Sequence, residues 1–458
     1  MKIVLRNGMV VSGEGTCIAD VLIEGEKIAA VAPNLSCEDA RSMDVTGKVL
    51  FPGCIDAHTH LDLEVSNTVT ADDFYTGTRA AIRGGTTLVI DFATQNHGET
   101  LKEALENWHK KAAGKCSCDY AFHMAISEWN ENISNEIKDM MDAGVTTFKL
   151  YMTYPAMILS DGEIYEVIRR LNEVGSFAGV HCENASVIDA HIRELKAAGQ
   201  FGPSSHPKAR PDALEAEAVH RLMTIAGEAN APVMVVHLTN EKALKEIQAA
   251  RMNGQTVLAE TCPQYLLLDE SVYNLAGFHS AKYVCSPPIR AKENQQVLWD
   301  ALASGEIQTI ATDHCSFTLE QKAMGREDFT KIPNGMPGLE TRVELIYSEG
   351  VGKGKLTAQQ ACKVLSENPA KLYGLYPKKG CIAPGSDADI VVIDPQKEKV
   401  ITAVGQEQNT DYVPFEGMRV KGCIDSVFLR GQLVVQNDKI LEEKTGIFIK
   451  RGAPQLTL

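Results

Sequence analysis

The sequence predicts an α/β fold in which a (β/α)₈ barrel is joined to a small β-sandwich domain. The barrel is predicted by eight short apolar runs that alternate with amphipathic segments in the middle of the chain, because this alternation is typical of parallel strands connected by helices. The second domain is predicted by alternating apolar and polar residues near both termini, a pattern that indicates half-buried strands.

The predicted barrel strands are Val49–Ala57, Thr86–Ala93, Tyr120–Ile126, Thr147–Met152, Phe177–His181, Pro232–His237, Thr256–Glu260 and Thr309–Thr312. The amphipathic segments between them have helical spacing of apolar residues; they are Leu101–Ala113, Glu131–Ala143, Gly162–Val174, Glu215–Ala229 and Glu241–Arg251. The longest interruption, residues 183–212, contains Gly202-Pro203 and is predicted to be an extended loop over the face where the strands end.

Residues 1–50 read as short strands with turns at Asn7-Gly8 and Glu24-Gly25-Glu26. Similar strand patterns return only near the C-terminus, at Ala388–Asp394, Ser426–Gly431 and Gln432–Val435. We therefore predict that residues 1–50 and 376–440 form the sandwich together, that residues 51–375 form the barrel, and that residues 441–458 form a C-terminal tail.

Composition and charge exclude several classes of partner. The 458 residues carry a formal net charge of −15, which offers no basic face to a nucleic acid or an anionic membrane. No apolar stretch approaches the length needed to span a bilayer, and the N-terminus lacks a signal-peptide pattern. The twelve cysteines are scattered, many inside apolar runs, as is usual for buried thiols in a reducing compartment. We expect a cytoplasmic protein.

Candidate metal ligands fall at the predicted strand ends. His58 and His60 are separated by one residue, so on a strand they would point to the same face; taken alone, such a pair is better explained as polar residues at a strand exit. Four more residues that can ligate a metal lie in or at the end of other predicted strands: Lys149, His181, His237 and Asp313. Because barrel enzymes build their sites at the C-terminal ends of the strands, the joint pattern favours a metal centre.

Lys149 is unusual because it lies between Phe148 and Leu150 in a predicted barrel strand. A buried ammonium is costly unless it is paired, and it would repel divalent cations held by nearby histidines. A deprotonated amine that has reacted with CO₂ would instead give a carbamate, an anionic ligand able to bridge two metals. The alternative is a lysine paired with an acidic neighbour.

These residues resemble the ligand set of the binuclear amidohydrolase superfamily, and finer motifs narrow the resemblance to its dihydropyrimidinase and D-hydantoinase group. The motifs are Phe51-Pro-Gly53, Gly84–Phe92, Thr261-Cys-Pro-Gln-Tyr265, Cys285-Ser-Pro-Pro288, Thr312-Asp-His-Cys315, Ile332-Pro-Asn-Gly335, Asn368-Pro-Ala-Lys371, Ile382–Asp389 and Gly446–Arg451. The resemblance extends over essentially the whole chain.

The resemblance implies two metal ions per subunit, Zn²⁺ or else Mn²⁺ or Co²⁺. By it, His58, His60 and Asp313 bind the more buried ion and His181 and His237 bind the second. Carboxylated Lys149 bridges the two. A metal-bridging hydroxide would then open 5,6-dihydropyrimidines or 5-substituted hydantoins to N-carbamoyl amino acids, with Asp313 carrying the proton to the leaving nitrogen.

Three further site residues are carried over from the family. Tyr154 would stabilise the developing oxyanion, and Ser286 and Asn334 would hold the N–C=O edge of the ring, largely through backbone groups. Each has a simpler explanation: a loop aromatic at the barrel mouth, a serine before Pro-Pro, and an Asn-Gly turn. The family also implies a homotetramer in which the tail, residues 441–458, packs on a neighbouring subunit.

Two segments depart from the family pattern. Leu61–Asn67 replaces the usual acidic residue followed by Met-Pro-Phe, and Tyr154-Pro155 stands where a lysine often follows the tyrosine. Both segments resemble loops that contact the exocyclic substituent of the ring, so substituent preference and stereoselectivity are left open. Asp62 takes the position of the arginine that binds a carboxylate in dihydroorotases, which disfavours that activity.

Two alternatives remain. Allantoinases share the ligand architecture, and a substrate panel would separate them from the leading prediction. A non-catalytic scaffold resembling the collapsin response mediator proteins is disfavoured, because those proteins have lost metal ligands whereas this chain keeps all six.

Overall fold

The computed structural model describes residues 2–37, 39–65 and 68–458. The strands in these residues are β1 (Lys2–Val11), β2 (Thr16–Glu24), β3 (Lys27–Ala32), β4 (Arg41–Asp44), β5 (Val49–Pro52), β6 (Cys54–Thr59), β7 (Glu64–Val65), β8 (Thr68–Val69), β9 (Thr86–Thr94), β10 (Asp119–Ala125), β11 (Phe148–Tyr151), β12 (Ala178–His181), β13 (Val233–Val235), β14 (Val257–Thr261), β15 (Thr309–Ile310), β16 (Ile390–Val400), β17 (Arg419–Leu429), β18 (Gln432–Gln436) and β19 (Lys439–Ile440).

The α-helices are α1 (Phe74–Arg83), α2 (Leu101–Ala112), α3 (Glu131–Ala143), α4 (Asp161–Glu173), α5 (Ala185–Ala197), α6 (Ser205–Ala209), α7 (Asp212–Ala229), α8 (Glu241–Met252), α9 (Pro263–Leu267), α10 (Glu293–Ser304), α11 (Leu319–Ala323), α12 (Arg342–Ile346), α13 (Ala358–Cys362) and α14 (Asn368–Leu372). Short 3₁₀ helices lie at Glu270–Asn274, His279–Tyr283 and Phe329–Lys331, and π-helical turns at Tyr347–Val351 and Lys363–Glu367. No helix in the described ranges is both long and apolar enough to cross a membrane.

Eight parallel strands form a nearly closed barrel in the order β6-β9-β10-β11-β12-β13-β14-β15. The barrel closes just beyond β15, where Thr59 and His314 form a parallel bridge and the His60 amide donates to the His314 carbonyl at 2.8 Å. Helices connect most of the strands, and the five predicted helical segments are present as α2, α3, α4, α7 and α8. The predicted barrel is confirmed.

The first predicted barrel strand, Val49–Ala57, is divided at Gly53. Its first half, β5, pairs with β1 and β16 of the second sheet, and only β6 enters the barrel. Glycine is required at the division because a Cβ on Gly53 would collide with the side chains of Thr87 and Asp389. The change from one sheet to the other could not be predicted, because the apolar run is continuous across Gly53.

The second sheet is built from both ends of the chain, as predicted. Its order is β19-β18-β17-β16-β5-β1-β2-β3, with β4 beside β1. The ends meet where β5 pairs with β16 in antiparallel fashion, for example Leu50 with Val392. The predicted turn at Asn7-Gly8 is wrong: both residues lie inside the continuous strand β1, at a bulge where Asn7 has a φ of 58°. The turn at Gly25 is confirmed, with a φ of 61° between β2 and β3.

The segment 183–212 is not an extended loop, because it contains α5 and α6. Asn184 begins α5 by accepting a hydrogen bond from the Val187 amide, as N-cap residues do. Of the thirteen residues of α5, Ile188 alone is fully buried. The apolar stripe that identifies a helix in a sequence is therefore weak here. The prediction of a loop depended on Gly202-Pro203 instead.

The C-terminal tail covers the N-terminal end of the barrel in its own chain. The Tyr120 amide donates to the Ile447 carbonyl at 3.0 Å, and the Ile449 amide donates to the Tyr120 carbonyl at 2.8 Å. Arg451 is buried and donates to Thr147 Oγ1 at 2.7 Å. Packing of the tail on a neighbouring subunit stays a prediction.

Candidate metal centre

The six candidate ligands lie at one end of the barrel, where parallel strands bring their C-terminal ends together. His58 is in β6 and His60 follows it, Lys149 is in β11, His181 ends β12, His237 lies two residues after β13, and Asp313 lies three residues after β15. All except Asp313 are buried, and the Asp313 side chain is 15% exposed. The strand ends thus bring together residues that are up to 255 positions apart in the sequence.

His58, His60 and Asp313 form the tightest group. Their ligand atoms all lie within 4.8 Å of one another, and Asp313 Oδ1 lies 3.2 Å from His58 Nε2 and 3.1 Å from His60 Nε2. Burial alone would raise the pKa of Asp313, but the surrounding imidazoles outweigh it and lower that pKa. The group therefore offers two ring nitrogens and an ionised carboxylate, a donor set that suits Zn²⁺.

Lys149 reaches into the same group. Its Nζ lies 3.3 Å from His58 Nε2, and its side chain is 1% exposed. Burial lowers the pKa of Lys149 to about 8, although Asp313 and Glu260 act in the opposite direction. No carboxylate within the described part of the chain lies within 4.0 Å of its Nζ, so the ion-paired alternative is not seen there. A lowered pKa makes more of the free amine available at neutral pH.

His181 and His237 form the second pair of imidazoles. Their ring centroids are 4.5 Å apart, and the His237 ring is 5.5 Å from that of His58. Nδ1 of His237 is buried and has no hydrogen-bond partner among the residues described. Burial is the main cause that lowers the pKa of both histidines, so both rings are neutral at pH 7. Neutral imidazole is the form that binds metals.

Two glutamates that the sequence analysis did not identify hold the histidine rings. Glu260 Oε1 lies 2.7 Å from His58 Nδ1, and Glu183 Oε2 lies 2.7 Å from His181 Nε2. Arg210 donates to the same oxygen of Glu183 at 2.6 Å. Burial opposes ionisation of Glu183, but Arg210 and His181 outweigh it and lower its pKa to about 2. The signal in the sequence was a glutamate at, or just beyond, the end of an apolar strand. Glu183 lies two residues after its partner His181, whereas Glu260 is 202 residues from His58 and could not be paired with it from spacing.

Asp91 fixes the chain immediately after the two histidines. Its Oδ2 accepts hydrogen bonds from Thr59 Oγ1 at 2.8 Å and from the Leu61 amide at 2.9 Å. Its Oδ1 accepts from Trp108 Nε1 at 3.1 Å. These contacts explain why an aspartate lies in the apolar run of β9: it anchors the end of the neighbouring strand from which His60 projects.

Three candidate site residues have left-handed backbone conformations. The φ angles are 69° at Tyr154, 40° at His237 and 52° at Asp313. Such conformations cost a residue other than glycine about 1–3 kcal/mol and persist where the surrounding structure imposes them, often at functional sites. Because all three residues lie at one end of the barrel, their conformations indicate a functional site there, independently of the ligand pattern.

Tyr154 and the loops of Ser286 and Asn334 lie around this end of the barrel. The Tyr154 ring is 5.2 Å from the His181 ring, and burial raises the pKa of its phenol against the opposing effects of Arg210 and Ser286. The buried Ser286 has its Oγ 3.5 Å from His206 Nε2. Asn334 is half-buried, and its loop joins that of Ser286 through the hydrogen bond from the Gly335 amide to the Val284 carbonyl. The structure thus brings the three residues to one region.

The segment after His60 begins with Asp62 in a left-handed conformation, φ 52°. Its amide donates to the Asp72 carbonyl at 2.9 Å, and its carbonyl accepts from Lys111 Nζ at 2.5 Å. The antiparallel pair of strands β7 and β8 follows. Ser66 and Asn67, the last residues of the segment that departs from the family pattern, lie outside the described residues.

Comparisons with known proteins agree with this geometry. The amidohydrolase family matches residues 49–434. The chain is 44% identical over 456 residues to a D-hydantoinase of Geobacillus stearothermophilus, covering 99% of this chain and 97% of that protein. It is 44% identical over 443 residues to a D-hydantoinase of Streptomyces coelicolor, covering 95% of this chain and 94% of that protein.

A solved structure extends the agreement to the fold. The dihydropyrimidinase from Brevibacillus agri NCHU1002 is 43% identical and superposes with a TM-score of 0.98, covering 99% of both chains. The match therefore includes the terminal strands as well as the barrel. Since the family match spans most of the sequence and relatives above 40% identity align over nearly all of it, the chain belongs to the amidohydrolase family.

Proposed function

We propose that this chain is a metal-dependent cyclic amidase that hydrolyses 5-substituted hydantoins, 5,6-dihydropyrimidines or both to N-carbamoyl amino acids. The observation that carries the proposal is the meeting of four imidazoles, Lys149 and Asp313 at one end of the barrel. The relatives named D-hydantoinase support it because they align with nearly the whole chain.

The donor set fits two divalent cations. His58, His60 and Asp313 would hold one ion, and His181 and His237 the other. Carboxylated Lys149 would bridge them, which its burial and lowered pKa support. Nitrogen and oxygen donors without thiolate favour Zn²⁺, with Mn²⁺ or Co²⁺ as alternatives. When bound, the ions would make a water molecule acidic enough to act as a nucleophile at neutral pH and would polarise the amide carbonyl.

The residues of the chain then carry the proton and orient the ring. Asp313, kept ionised by the imidazoles around it, would accept a proton from the attacking water and deliver it to the ring nitrogen as the C–N bond breaks. Tyr154, kept neutral by burial, would donate a hydrogen bond to the developing oxyanion. Backbone groups of Ser286 and Asn334 would hold the N–C=O edge of the ring.

The alternatives are less well supported. An allantoinase would need the same ligands, but the named relatives that match the full chain are hydantoinases. A non-catalytic scaffold would have no need for six converging ligands. Asp62 remains an argument against a dihydroorotase, because its carboxylate would repel that of the substrate.

We also propose a cytoplasmic homotetramer. The cysteines described by the structure are all free, and most are buried, as suits a reducing compartment. The family resemblance implies the tetramer. Mass measurement under non-denaturing conditions should give four chains; a monomer at assay concentration would contradict this part of the proposal.

A substrate panel tests the proposed function. Metal-loaded protein is assayed with dihydrouracil, hydantoin, phenylhydantoin and allantoin, and ring opening is followed by the appearance of the N-carbamoyl product. We expect the fastest turnover with a hydantoin or dihydrouracil. Fastest turnover of allantoin, or no turnover of any ring, would overturn the proposal.

A further inference from the structure

Lys322 is a fully buried lysine outside the metal centre. It lies on α11, is 0% exposed, and has no acidic partner within 4.0 Å in the ranges that the structure describes. Instead its Nζ donates to three backbone carbonyls, those of Val284 at 2.9 Å, Pro333 at 2.6 Å and Gly335 at 2.7 Å. An ammonium has three N–H donors, so its hydrogen-bonding capacity is fully used by these three carbonyls.

Burying Lys322 in this way lowers the stability of the fold, so we expect the side chain to do more than fill space. Burying an ammonium without a counter-charge is unfavourable, and burial lowers the pKa of Lys322 to about 7. The three carbonyls oppose that effect, because only the protonated form carries three N–H donors. Conversely, without the ammonium the buried carbonyls of Pro333 and Gly335 would lose the donor that the structure shows for them.

The carbonyls belong to the two backbone segments that carry Ser286 and Asn334. Lys322 holds two peptide units close to Asn334. One joins Pro333 to Asn334 and is held through the Pro333 carbonyl; the other follows Gly335 and is held through the Gly335 carbonyl. The unit between them is held as well, since the Gly335 amide donates to the Val284 carbonyl at 3.0 Å. In a trans peptide the C=O and N–H groups point in opposite directions, so the Asn334 carbonyl is turned away from Val284.

The segment of Ser286 is held in the same way. Lys322 binds the Val284 carbonyl, and His206 Nε2 lies 2.8 Å from the Cys285 carbonyl. The Cys285 carbonyl and the Ser286 amide share one peptide unit, so the direction of that amide is set by His206. Lys322 and His206 together therefore fix consecutive peptide units leading to Ser286.

We propose that Lys322 is a positioning residue that joins these two segments and so presents the backbone groups of Ser286 and Asn334 to the substrate ring, an inference that rests on the proposed function. Lys322 contacts none of the six candidate metal ligands. Its loss should therefore weaken ring binding and leave the metal centre loaded.

Lys379 provides a matched control. It is also a buried lysine, 1% exposed, but its Nζ binds Asp119 at 2.8 Å and Asp389 at 2.5 Å, away from both segments. Lys322→Met and Lys379→Met each remove a buried cation and should each lower the melting temperature. Lys322→Gln, which keeps two N–H donors, is a milder second variant in case Lys322→Met does not fold.

The experiment measures KM, kcat and bound metal for wild type and the three variants with the best ring from the panel. We expect Lys322→Met to raise KM about tenfold or more with kcat changed by less than about threefold, the signature of lost uniform binding. Lys322→Gln should lie between it and wild type, and Lys379→Met should leave KM unchanged, all with wild-type metal content.

An unchanged KM in folded, metal-loaded Lys322→Gln or Lys322→Met would overturn the inference and leave the proposed function intact. So would an equal rise of KM in Lys379→Met, because that would indicate general loosening. A wild-type protein that opens no cyclic amide would overturn the proposed function and the role of Lys322 with it.

Discussion

Glu260 Oε1 lies 2.7 Å from Nδ1 of His58, on the opposite side of the imidazole from Asp313. When Nε2 of this ring binds a metal, its proton must be on Nδ1, where Glu260 accepts it. Burial raises the pKa of Glu260 to about 8 against the opposing effect of Lys149. Positive charge at the site would favour the carboxylate form, so the contact and the metal support each other.

Removing this acceptor should weaken metal binding. Glu260→Leu is expected to lower metal affinity by about 10–100-fold, the usual cost of losing a partner that orients a ligand. Glu260→Gln is the matched control, because it keeps an acceptor oxygen and should lose less. Competition with a chromophoric chelator measures the affinities. Equal affinities in the three proteins would contradict the role of Glu260.

Lys149→Ala should lose most bound metal and most activity. The alanine variant removes the proposed anionic bridge between two cations, so the repulsion between those cations would be less well screened. Elemental analysis of the purified protein gives the metal content. Lys102→Ala, at an exposed position on α2, controls for loss of a lysine in general. An active Lys149→Ala protein with two metals bound would rule out the carbamate.

Tyr154→Phe should lower kcat by about 10²–10³-fold, which is typical when one donor to an oxyanion is lost. KM and metal content should change little, because the ring of the side chain remains in place beside His181. Tyr165→Phe, on the outer helix α4, is the control. A kcat within about threefold of wild type would rule out the role in oxyanion stabilisation. Tyr154 would then be only a loop aromatic at the barrel mouth.

His206 should make stability depend on pH. Burial lowers its pKa from 6.5 to about 3, so the folded state holds the neutral ring. The stabilisation is present above the unfolded pKa of 6.5 and is lost as pH falls below it, because the unfolded chain then gains a proton that the folded chain excludes.

From pH 7 to pH 5 wild type should therefore lose about 2 kcal/mol relative to His206→Gln. Urea unfolding of the metal-free proteins at both pH values measures this difference while avoiding effects of metal loss. A constant difference between wild type and His206→Gln would show that the pKa of His206 is the same in the folded and unfolded states.

Much of the fold and of the ligand group could be predicted because both are encoded in local patterns. The same-face pair His58 and His60 needs only the alternation of a strand. His181 is recognisable because an apolar strand ends on it, and Asp313 because it follows an apolar run. The motifs around these residues then identified the family.

What the sequence could not predict depends on contacts between distant segments. Glu260 is 202 residues from His58, and no spacing rule connects them. The division of one apolar run at Gly53 depends on Thr87 and Asp389 packing against it. Helix α5 buries too little apolar surface to show a clear stripe, so its residues read as a loop.

Metal removal tests the central claim most directly. Wild-type protein is treated with a chelator, dialysed, and assayed for hydantoin and dihydrouracil hydrolysis before and after titration with Zn²⁺ in the presence of bicarbonate. The account predicts that activity falls to background and returns as two ions per chain are bound. Full activity in protein shown by elemental analysis to contain no metal would contradict it.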